Sequence, residues 1–575
     1  MSLRHSAMSI LFLVSALASA CSSDAAPNAI TAAPPTNNAS RVTVVVNAQI
    51  YTVEGSSAWV EAFAFDAAGV IVAVGSEVDV RAAAGDDPVV LDAGANMVLP
   101  GFQDAHMHVP EAGINLELCF LGDGDSLADY EQSAVECAEE QAGSDWIRAV
   151  GAPLFELSDG GELPIDALDR AVPDRPIVVL DNLGHAVWTN TAGLEAAGIS
   201  ADDPDPQGGV FQRDHEGRLT GQLQEDAQQL VRNAAAPDDE SNFRALLTAL
   251  DELARNGVTT ISDAGGYWGQ NHPAAWERAK ATGTLTVRAH NSLYVYPDLD
   301  VEEQLAEFAR RFRNDPDSML RFDTAKVYVD GILDLGTASL IDPYDVPVDA
   351  NYPNGFSYFT SEQLTTYVNE LHALGYRINF HAIGDQAVRD ALDAVEAIDD
   401  EASAIADRRH RSTHTYLVHI DDLGRFAEIG VVADFQQSAD IVATDYHEFL
   451  AGFIGDRAFD LIPTAQLLDA GAAVSLSSDW DAGPLPPVGT IERSLTRDAN
   501  AVPDLETAIS LVTIDAAYAL GHDDTTGSIE VGKYADFVIL DQNLFDIDIT
   551  AIDETEVLLT VVGGTTVYQA PGFRP

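Results

Sequence analysis

Two histidines separated by one residue, His106 and His108, are the first candidates for chemistry in this sequence. They follow the apolar run 97–99 and a Pro-Gly break, within the segment VLPGFQDAHMHV at residues 98–109. Residues i and i+2 of an extended strand point to the same face, so both imidazoles can face one ion. Imidazole is a ligand for zinc and related divalent metals. Such a pair also occurs as ordinary structural histidines, so the interpretation depends on residues elsewhere in the chain.

Four later segments carry polar side chains at the ends of predicted strands. Lys326 lies in AKVYVDG and His381 ends NFH, whereas His414 lies in STHT and Asp479 follows LSS. In a (β/α)8 barrel the carboxyl ends of the strands meet at one rim, where active sites lie. Together with the first two histidines, these residues predict one metal site built from strands one, four, five, six and eight.

The elements that must position these residues follow from the alternation of strand-like and helical stretches, which is typical of βα units and a parallel sheet. After the strand that carries His106, the predicted strands cover residues 177–181, 258–262, 286–294, 325–329, 377–381, 413–419, 431–436 and 473–478. That makes one strand more than a barrel of eight needs. Because the stretch between His108 and Val258 is too long for one βα loop, we assign 177–181 to an insertion.

Both ends of the chain contain short β-rich runs separated by turn residues. These runs cover residues 42–53, 59–66, 70–75 and 89–99 near the start and residues 535–540, 557–562 and 566–568 near the end. We expect one small antiparallel β-domain assembled from the two ends, which delivers the strand that carries His106. Two unrelated hairpins are the alternative.

The first residues predict export. The apolar run 10–18 is too short to span a bilayer but fits a secretory signal peptide, and Ala-Ser-Ala at 18–20 is a signal-peptidase site. Cys21 follows directly, as in a bacterial lipobox, although Ala18 stands where that motif usually has Leu. We therefore expect a periplasmic or outer-membrane lipoprotein of a bacterium, lipidated at Cys21. Simple secretion and an uncleaved segment are the alternatives. Residues 22–40 are rich in Ala, Pro, Asn and Ser, which predicts a flexible tether.

The composition limits the partners. The formal net charge is −62, which argues against nucleic-acid binding because phosphates need Lys and Arg to neutralise them. The charge predicts a very soluble surface that tolerates salt. We interpret the negative charge as an adaptation to the surroundings of the protein, without bearing on its activity. Cys119 and Cys137 can form a disulfide in an exported protein, and two buried free thiols are the alternative.

The combined motifs resemble the amidohydrolase superfamily of metal-dependent hydrolases, and within it the amidohydrolase-3 branch that includes N-substituted formamide deformylase-like proteins. The resemblance covers about residues 42 to 570. The motifs that carry it are VLPGFQDAHMH, PDRPIVVL with GHAVWTN, GQLQEDA, GVTTISDAG, KVYVDG, HAIGDQAV, SSDW and GSIEVGKYADFVIL. Two residues depart from the branch pattern: Thr413 stands where Glu is usual, and Gln437 stands where Pro is usual.

The resemblance implies an α/β protein: a (β/α)8 TIM barrel with a composite β-sandwich formed by the N- and C-terminal segments, and an insertion after barrel strand one. The expected division of the chain is a signal peptide at 1–20, a tether at 21–41, the sandwich at 42–100 and 526–575, and the barrel at 101–525 with its insertion within 110–250.

The resemblance also implies one or two divalent metal ions, zinc first, held by His106, His108, His381, His414 and Asp479. Metal binding acidifies water, and Asp479 would accept a proton from that water and pass one to the leaving nitrogen.

Lys326 decides the number of metal ions. A carbamate formed on Lys326 with CO2 would bridge two ions, whereas an ammonium would pair with Asp330 or contact substrate. His185 and Trp480 are the expected substrate contacts, and a structural histidine is the alternative for His185. We interpret Glu225 as a carboxylate at a helix start, and a site residue is the alternative.

The predicted activity is hydrolysis of a non-peptide, amide- or formamide-type C–N bond in a small molecule. The alternatives are a cyclic amidine deaminase with the same metal chemistry and a non-catalytic, surface-tethered binding protein. We expect contact with a membrane only through an N-terminal lipid anchor. Substrate identity and homo-oligomerisation stay open.

Overall fold

The structure is a computed structural model that describes residues 41–55, 58–122, 126–152, 162–181 and 183–575. The predicted signal peptide, the lipidation site Cys21 and all of the tether except its last residue lie outside these residues. Among the helices in the described part of the chain, none has both the length and the apolar character that a membrane span requires.

Eight parallel strands follow one another in chain order around a barrel. They are Phe102–Met107, Val258–Gly266, Arg288–Tyr294, Leu320–Tyr328, Arg377–Ala382, Arg411–His414, Val432–Gln436 and Val474–Ser477. Strand eight meets strand one where the backbone N–H of Asp479 donates to the carbonyl oxygen of His106 at 2.9 Å. The predicted α/β class and barrel are therefore confirmed.

The barrel helices cover the strands in the usual alternation. They are Val109–Asn115, Asp239–Arg255, His272–Thr282, Val301–Arg311, Ser361–Leu374, Asp385–Glu396, Ala402–Arg408, Arg425–Ile429, Thr444–Ile454, Thr464–Asp469, Pro487–Thr496, Leu505–Leu511 and Ile514–Leu520. The 3₁₀ turns are Trp268–Gln270, Gly455–Asp460 and Ile549–Ala551.

Barrel strand six is shorter than predicted. The run 413–419 was expected to be extended, but the strand ends at His414, since His414 and Thr415 both have left-handed φ angles of 72° and 50°. His419 therefore lies beyond the strand, and its position gives no support to a ligand role.

The two chain ends share a six-stranded sheet. Its order is Thr565–Gln569, Val557–Val562, Phe537–Leu540, Met97–Pro100, Gln49–Tyr51 and Trp59–Val60. A second sheet has the order Ile71–Gly75, Ala62–Phe65, Thr43–Val46 and Val89–Asp92, and the helix Glu77–Ala84 follows its first strand. One apolar cluster contains Phe63 and Val45 from the second sheet and Phe537 and Leu559 from the first, which makes the two sheets a sandwich.

Two details of the terminal sheets were predicted wrongly. The pairing is mixed rather than antiparallel, because Thr43–Val46 runs parallel to Val89–Asp92. The run 89–99 is two strands, and the second, Met97–Pro100, is separated from barrel strand one by Gly101. A Cβ at Gly101 would lie 2.3 Å from Thr259, so only glycine allows the chain to pass from sandwich to barrel at this point.

A separate six-stranded sheet lies between barrel strands one and two, which confirms that residues 177–181 belong to an insertion. Its order is Gly209–Arg213, Leu219–Glu225, Ala186–Thr189, Ile177–Asp181, Ile147–Ala152 and Cys119–Phe120. The helices of this segment are Leu127–Glu140, Pro164–Ala171, Thr191–Ala196 and Gln228–Ala234. Cys119 and Cys137 form a disulfide, which decides between the two alternatives.

Candidate metal centre

The candidate ligands lie where the barrel strands end. His106 is the fifth residue of strand one, and His414 is the last residue of strand six. His381 is the fifth residue of strand five, and Asp479 follows strand eight by two residues. All of these positions face the rim at which barrel active sites are built.

The carboxylate of Asp479 is the point at which the histidines converge. Its Oδ1 lies 3.2 Å from His106 Nε2 and 3.4 Å from His108 Nε2. Its Oδ2 lies 3.9 Å from His414 Nδ1. His106, His414 and Asp479 each offer a ligand atom within 4.8 Å of the other two, which is a spacing that one cation can bridge.

His108 belongs to the group although the strand ends one residue earlier. Barrel strand one stops at Met107, and His108 caps the helix Val109–Asn115. The rings of His106 and His108 are 5.5 Å apart and nearly perpendicular, and both Nε2 atoms face Asp479. The two imidazoles therefore converge as their spacing predicts.

His381 is joined to the group through His414. The ring centroids of these two histidines are 4.4 Å apart, and the His414 ring lies 5.0 Å from the His106 ring. His381 therefore lies next to the group formed by His106, His414 and Asp479, and a ligand role for His381 stays a prediction.

Three of the candidate histidines have a polar partner at Nδ1. Glu111 Oε2 lies 3.0 Å from His108 Nδ1, and Glu111 itself is paired with Arg232. Gln436 Oε1 lies 2.8 Å from His414 Nδ1. Such partners fix the ring orientation and the tautomer of metal-binding histidines.

Asn379 holds His106 in the same way. Its side-chain amide lies 3.0 Å from His106 Nδ1, and the Thr413 hydroxyl donates to Asn379 Oδ1 at 2.5 Å. A metal on His106 Nε2 requires a proton on Nδ1. If the oxygen and nitrogen of the Asn379 amide exchange places, the amide oxygen accepts that proton. The Thr413 hydroxyl can then accept a hydrogen bond from the amide nitrogen. Thr413, which departs from the branch pattern, thus serves this network in either orientation.

The backbone is unusual at the same residues. Four non-glycine residues at or beside the site have left-handed φ angles, which cost free energy for side chains with a Cβ. They are Glu225 at 55°, His414 at 72°, Thr415 at 50° and Asp479 at 56°. The strand ends therefore turn sharply, and this turn presents His414 and Asp479 to the site.

The charge states suit a cation. Burial is the main cause that holds the pKa of His106 and His381 well below the usual range and lowers the pKa of His414 to about 3. Burial raises the pKa of Asp479, but the adjacent histidines outweigh it and hold that pKa well below its ordinary value. Neutral imidazoles around an anionic carboxylate are the forms that bind a divalent ion.

Two buried atoms support the fit to a metal. Asp479 Oδ1 and His381 Nδ1 have no hydrogen-bond partner among the described residues, although both are shielded from solvent. Buried polar atoms are normally satisfied, because an unpaired one costs free energy. Two unpaired electron-pair donors beside the converging Nε2 atoms are what a His/Asp cation site provides, so the residues present fit the metal that the sequence predicts.

Lys326 lies under this group. Its Nζ is 3.2 Å from His106 Nε2 and 4.7 Å from the centre of the Tyr328 ring. Burial lowers the pKa of Lys326 to about 7. The alternative of a pair with Asp330 is not supported, because the Asp330 carboxylate accepts from the backbone N–H groups of Ser339, Ile383 and Gly384.

A cavity of about 180 Å³ opens above the histidines. His108, His381, His414 and Asp479 line its floor side, and His185 of the insertion lines it as well. The remaining lining residues are Glu111, Asn115, Val150, Leu180, Asp181, Leu183, Gly184, Arg232, Tyr267, Tyr328, Asp481 and Ala482. Trp480 is not one of the described residues that line the cavity, and its substrate contact stays a prediction.

Glu225 is not a helix-start carboxylate, so that interpretation is wrong. It ends the strand Leu219–Glu225, and the following helix begins only at Gln228. Its carboxylate is 1 % exposed and lies 2.6 Å from Nδ1 of His185. The Gly-Gln-Leu-Gln-Glu segment, with Glu at the end of a strand, was the available signal for a site residue. The pairing of Glu225 with His185, forty residues earlier, was not visible in the sequence.

Comparisons with known proteins agree with this geometry. A sequence model of the amidohydrolase family matches residues 89–568. The chain is 26 % identical over 558 residues to N-substituted formamide deformylase from Arthrobacter pascens, covering 92 % of this chain and 98 % of that protein. It is 28 % identical over 492 residues to the putative amidohydrolase YtcJ from Bacillus subtilis, covering 82 % and 89 %. The fold matches that of an uncharacterized metal-dependent hydrolase from Pyrococcus horikoshii with a TM-score of 0.70, at 21 % identity over 88 % of this chain and 99 % of that one.

Proposed function

Because the chain belongs to the amidohydrolase family, we propose that it hydrolyses an amide- or formamide-type C–N bond of a small molecule with the help of a divalent metal. The observation that carries the proposal is the convergence of His106 and His414 on Asp479 at the carboxyl ends of three different strands. The similarity to N-substituted formamide deformylase supports the bond type.

We assign the ligands by their distances. His106, His414 and Asp479 form the first group, and the second group is His108, which lies beside Asp479, and His381, which lies beside His414. Zinc is the metal we propose first, because nitrogen and carboxylate ligands suit it.

Lys326 would complete a two-metal arrangement as a carbamate. Its nitrogen lies 3.2 Å from His106 Nε2, at the base of both groups.

The proposed hydrolysis assigns a separate role to the metal, to Asp479 and to the substrate contacts. A bound divalent ion would polarise the substrate carbonyl and acidify water. Asp479 accepts the proton of the attacking water and delivers a proton to the leaving nitrogen, which otherwise departs as a poor anion. His185 and Trp480 are the substrate contacts we propose, and the cavity of about 180 Å³ restricts the substrate to a small molecule.

The test is the replacement Asp479→Asn. We expect turnover of a panel of formamides, acyl amines and cyclic ureides to fall at least about 10²-fold, because the proton acceptor is lost, while some metal remains on the histidines. Metal content by elemental analysis and product formation are measured together, and ammonia release from a ring substrate would indicate the deaminase instead.

The matched control is Asp469→Asn, an exposed aspartate at the end of the helix Thr464–Asp469, which should leave both readouts unchanged. Unchanged turnover in Asp479→Asn would refute the assignment. A wild-type protein that takes up neither zinc nor manganese and turns over no substrate would instead favour a binding protein on the same barrel.

We further propose that the protein is exported and anchored through Cys21. The Cys119–Cys137 disulfide supports export, because disulfides persist in oxidising compartments. Release of a Cys21→Ser protein from the membrane fraction would distinguish a lipid anchor from simple secretion.

A further inference from the structure

The Glu225 carboxylate lies at the junction of the insertion and the barrel. It is within hydrogen-bond distance of His185 Nδ1 at 2.6 Å and accepts from the Tyr358 hydroxyl at 2.6 Å and from the Thr337 hydroxyl. His185 comes from the insertion, whereas Thr337 and Tyr358 come from the long loop after barrel strand four. One buried carboxylate therefore joins a segment that lines the cavity, through His185, to a loop of the barrel.

The surrounding backbone is shaped for this carboxylate. Glu225 has a left-handed φ of 55°, which a residue with a Cβ adopts only at a cost. A Cβ on Gly331 would lie 2.2 Å from Glu225 Oε1, so the carboxylate packs directly against the backbone of the barrel loop. The Glu225 side chain is therefore fixed in one position by three hydrogen-bond donors, by its strained backbone and by its contact with Gly331.

The contact with Glu225 fixes the proton on His185. An ionised carboxylate only accepts hydrogen bonds, so Nδ1 of His185 must carry a hydrogen. The ring lines the cavity and lies 5.1 Å from the His381 ring, centre to centre. Nε2 makes no hydrogen bond to any described residue, and it is the ring nitrogen left for a molecule in the cavity.

We propose that Glu225 is a positioning residue that holds His185 with Nδ1–H toward the carboxylate, so that Nε2 contacts a polar atom of the amide-type substrate. This inference rests on the proposed function of the metal site. Tyr358 and Thr337 hold the carboxylate in turn, so the insertion contributes to substrate recognition through one side chain whose orientation the barrel loop determines.

A double-mutant cycle tests whether Glu225 acts through His185. We expect Glu225→Gln and His185→Gln each to lower kcat/KM by about 10- to 100-fold, the usual loss when a histidine loses its carboxylate partner. The double variant should be no worse than His185→Gln alone, because the two residues act as a unit. Losses that multiply in the double variant would overturn the proposal.

The matched control is Asp226→Asn. Asp226 is the next residue, is equally buried, and accepts from the Tyr294 hydroxyl at 2.8 Å without contacting His185. Its effect on kcat/KM should multiply with that of His185→Gln. A general loss of order near the strand end would instead make Asp226→Asn and Glu225→Gln behave alike. An Asp226→Asn protein that shows the same non-additivity as Glu225→Gln would contradict the assignment.

A second readout does not depend on activity. In protein labelled with ¹⁵N in the histidine rings, the His185 resonance is identified by its loss in His185→Gln. We expect a protonated Nδ1 in the wild type, a shifted Nδ1 resonance in Glu225→Gln and an unshifted one in Asp226→Asn. An unshifted resonance in Glu225→Gln overturns the positioning role even if the proposed substrates are wrong, whereas absent turnover and absent metal in the wild type would overturn only the proposed function.

Discussion

At the scale of single residues, the partners behind the histidines determine which nitrogen faces the metal. Glu111 engages Nδ1 of His108, and Gln436 engages Nδ1 of His414. Asn379 does the same for His106. Since Nδ1 of His108 and of His414 faces an acceptor oxygen, Nε2 of these rings is the free electron-pair donor, and His106 reaches the same state once the Asn379 amide is turned over. The orienting groups are a carboxylate and two amides, so the donor strength of the three imidazoles differs although their geometry is alike.

Lys326 gives the first residue-scale prediction. Carbamate formation joins the neutral lysine nitrogen to the carbon of CO2 with loss of a proton, and burial lowers the pKa of Lys326 to about 7, which makes the neutral amine available. We expect Lys326→Met to reduce bound metal from two ions to one or none, and to abolish a carbamate ¹³C signal seen after incubation with labelled bicarbonate.

The control for this measurement is Lys280→Met, because Lys280 is exposed and its ammonium donates to Ser318 at 2.7 Å, outside the site. It should leave metal content and the ¹³C signal unchanged. A wild-type protein without the signal but with two bound ions would exclude the carbamate and leave Lys326 as an ammonium or amine near the substrate.

The candidate ligands themselves could be predicted from the sequence because each lies in, or directly after, a recognisable barrel strand. The groups that hold them could not. Asn379 lies two residues before His381 on the same strand, so its direction was predictable, but its partner His106 is 273 residues away. Glu111 follows His108 by three residues, which is a helical spacing that becomes informative only once a helix is known to start there.

At the scale of elements, strand order was predictable and strand ends were not. The periodicity of apolar runs identifies the barrel strands, because a parallel sheet buries both faces. The end of strand six depends on the left-handed turn at His414 and Thr415, which no local composition signals. The split between Met97–Pro100 and barrel strand one depends on the close approach of Thr259 to Gly101, a contact between residues 158 positions apart.

The disulfide of the insertion gives the element-scale prediction. Cys119 and Cys137 close a loop of 18 residues between an edge strand and the helix Leu127–Glu140. Loop-closure entropy predicts a stabilisation of about 3 kcal/mol. We expect Cys119→Ala with Cys137→Ala to lower the stability of the insertion by that amount, seen as faster proteolysis and amide exchange within residues 119–225.

The barrel provides the internal control for that experiment, because its strands do not contain these cysteines. Amide exchange in barrel strands such as Leu320–Tyr328 should stay unchanged. If the barrel and the insertion lose protection equally, the two unfold as one unit and the local assignment of the disulfide is wrong.

At the scale of the whole molecule, buried histidines join barrel strand three to the end of the last barrel helix, Ile514–Leu520. His290 Nδ1 lies 2.7 Å from Asp323 Oδ1, and its Nε2 lies 2.6 Å from Nε2 of His522. Arg377 donates to the other oxygen of Asp323 at 2.6 Å. One proton can lie between the two Nε2 atoms, so both rings are neutral, and a further proton would place a positive charge on this buried pair.

Acid stability follows from this pair. Burial, reinforced by nearby positive charge, holds the pKa of His522 well below its ordinary value of about 6.5. The unfolded chain therefore binds a proton below about pH 6.5 that the folded chain does not bind, and the free energy of unfolding falls as the pH falls. The loss begins as the pH falls through the unfolded-state pKa of about 6.5 and grows toward pH 5.

We expect His522→Gln to remove that loss, because the glutamine amide can still donate to His290 Nε2 but does not titrate. The measurement is urea unfolding of metal-free protein at pH 7 and pH 5, with the difference in unfolding free energy between the two pH values compared across variants. His215→Gln is the control, since the His215 side chain is 89 % exposed and meets nearly the same solvent in the folded and unfolded chain. If wild type and His522→Gln lose the same stability on acidification, then His522 takes up its proton in the folded state as readily as in the unfolded one. Barrel strand three and the end of the last barrel helix are then not joined by a neutral histidine pair.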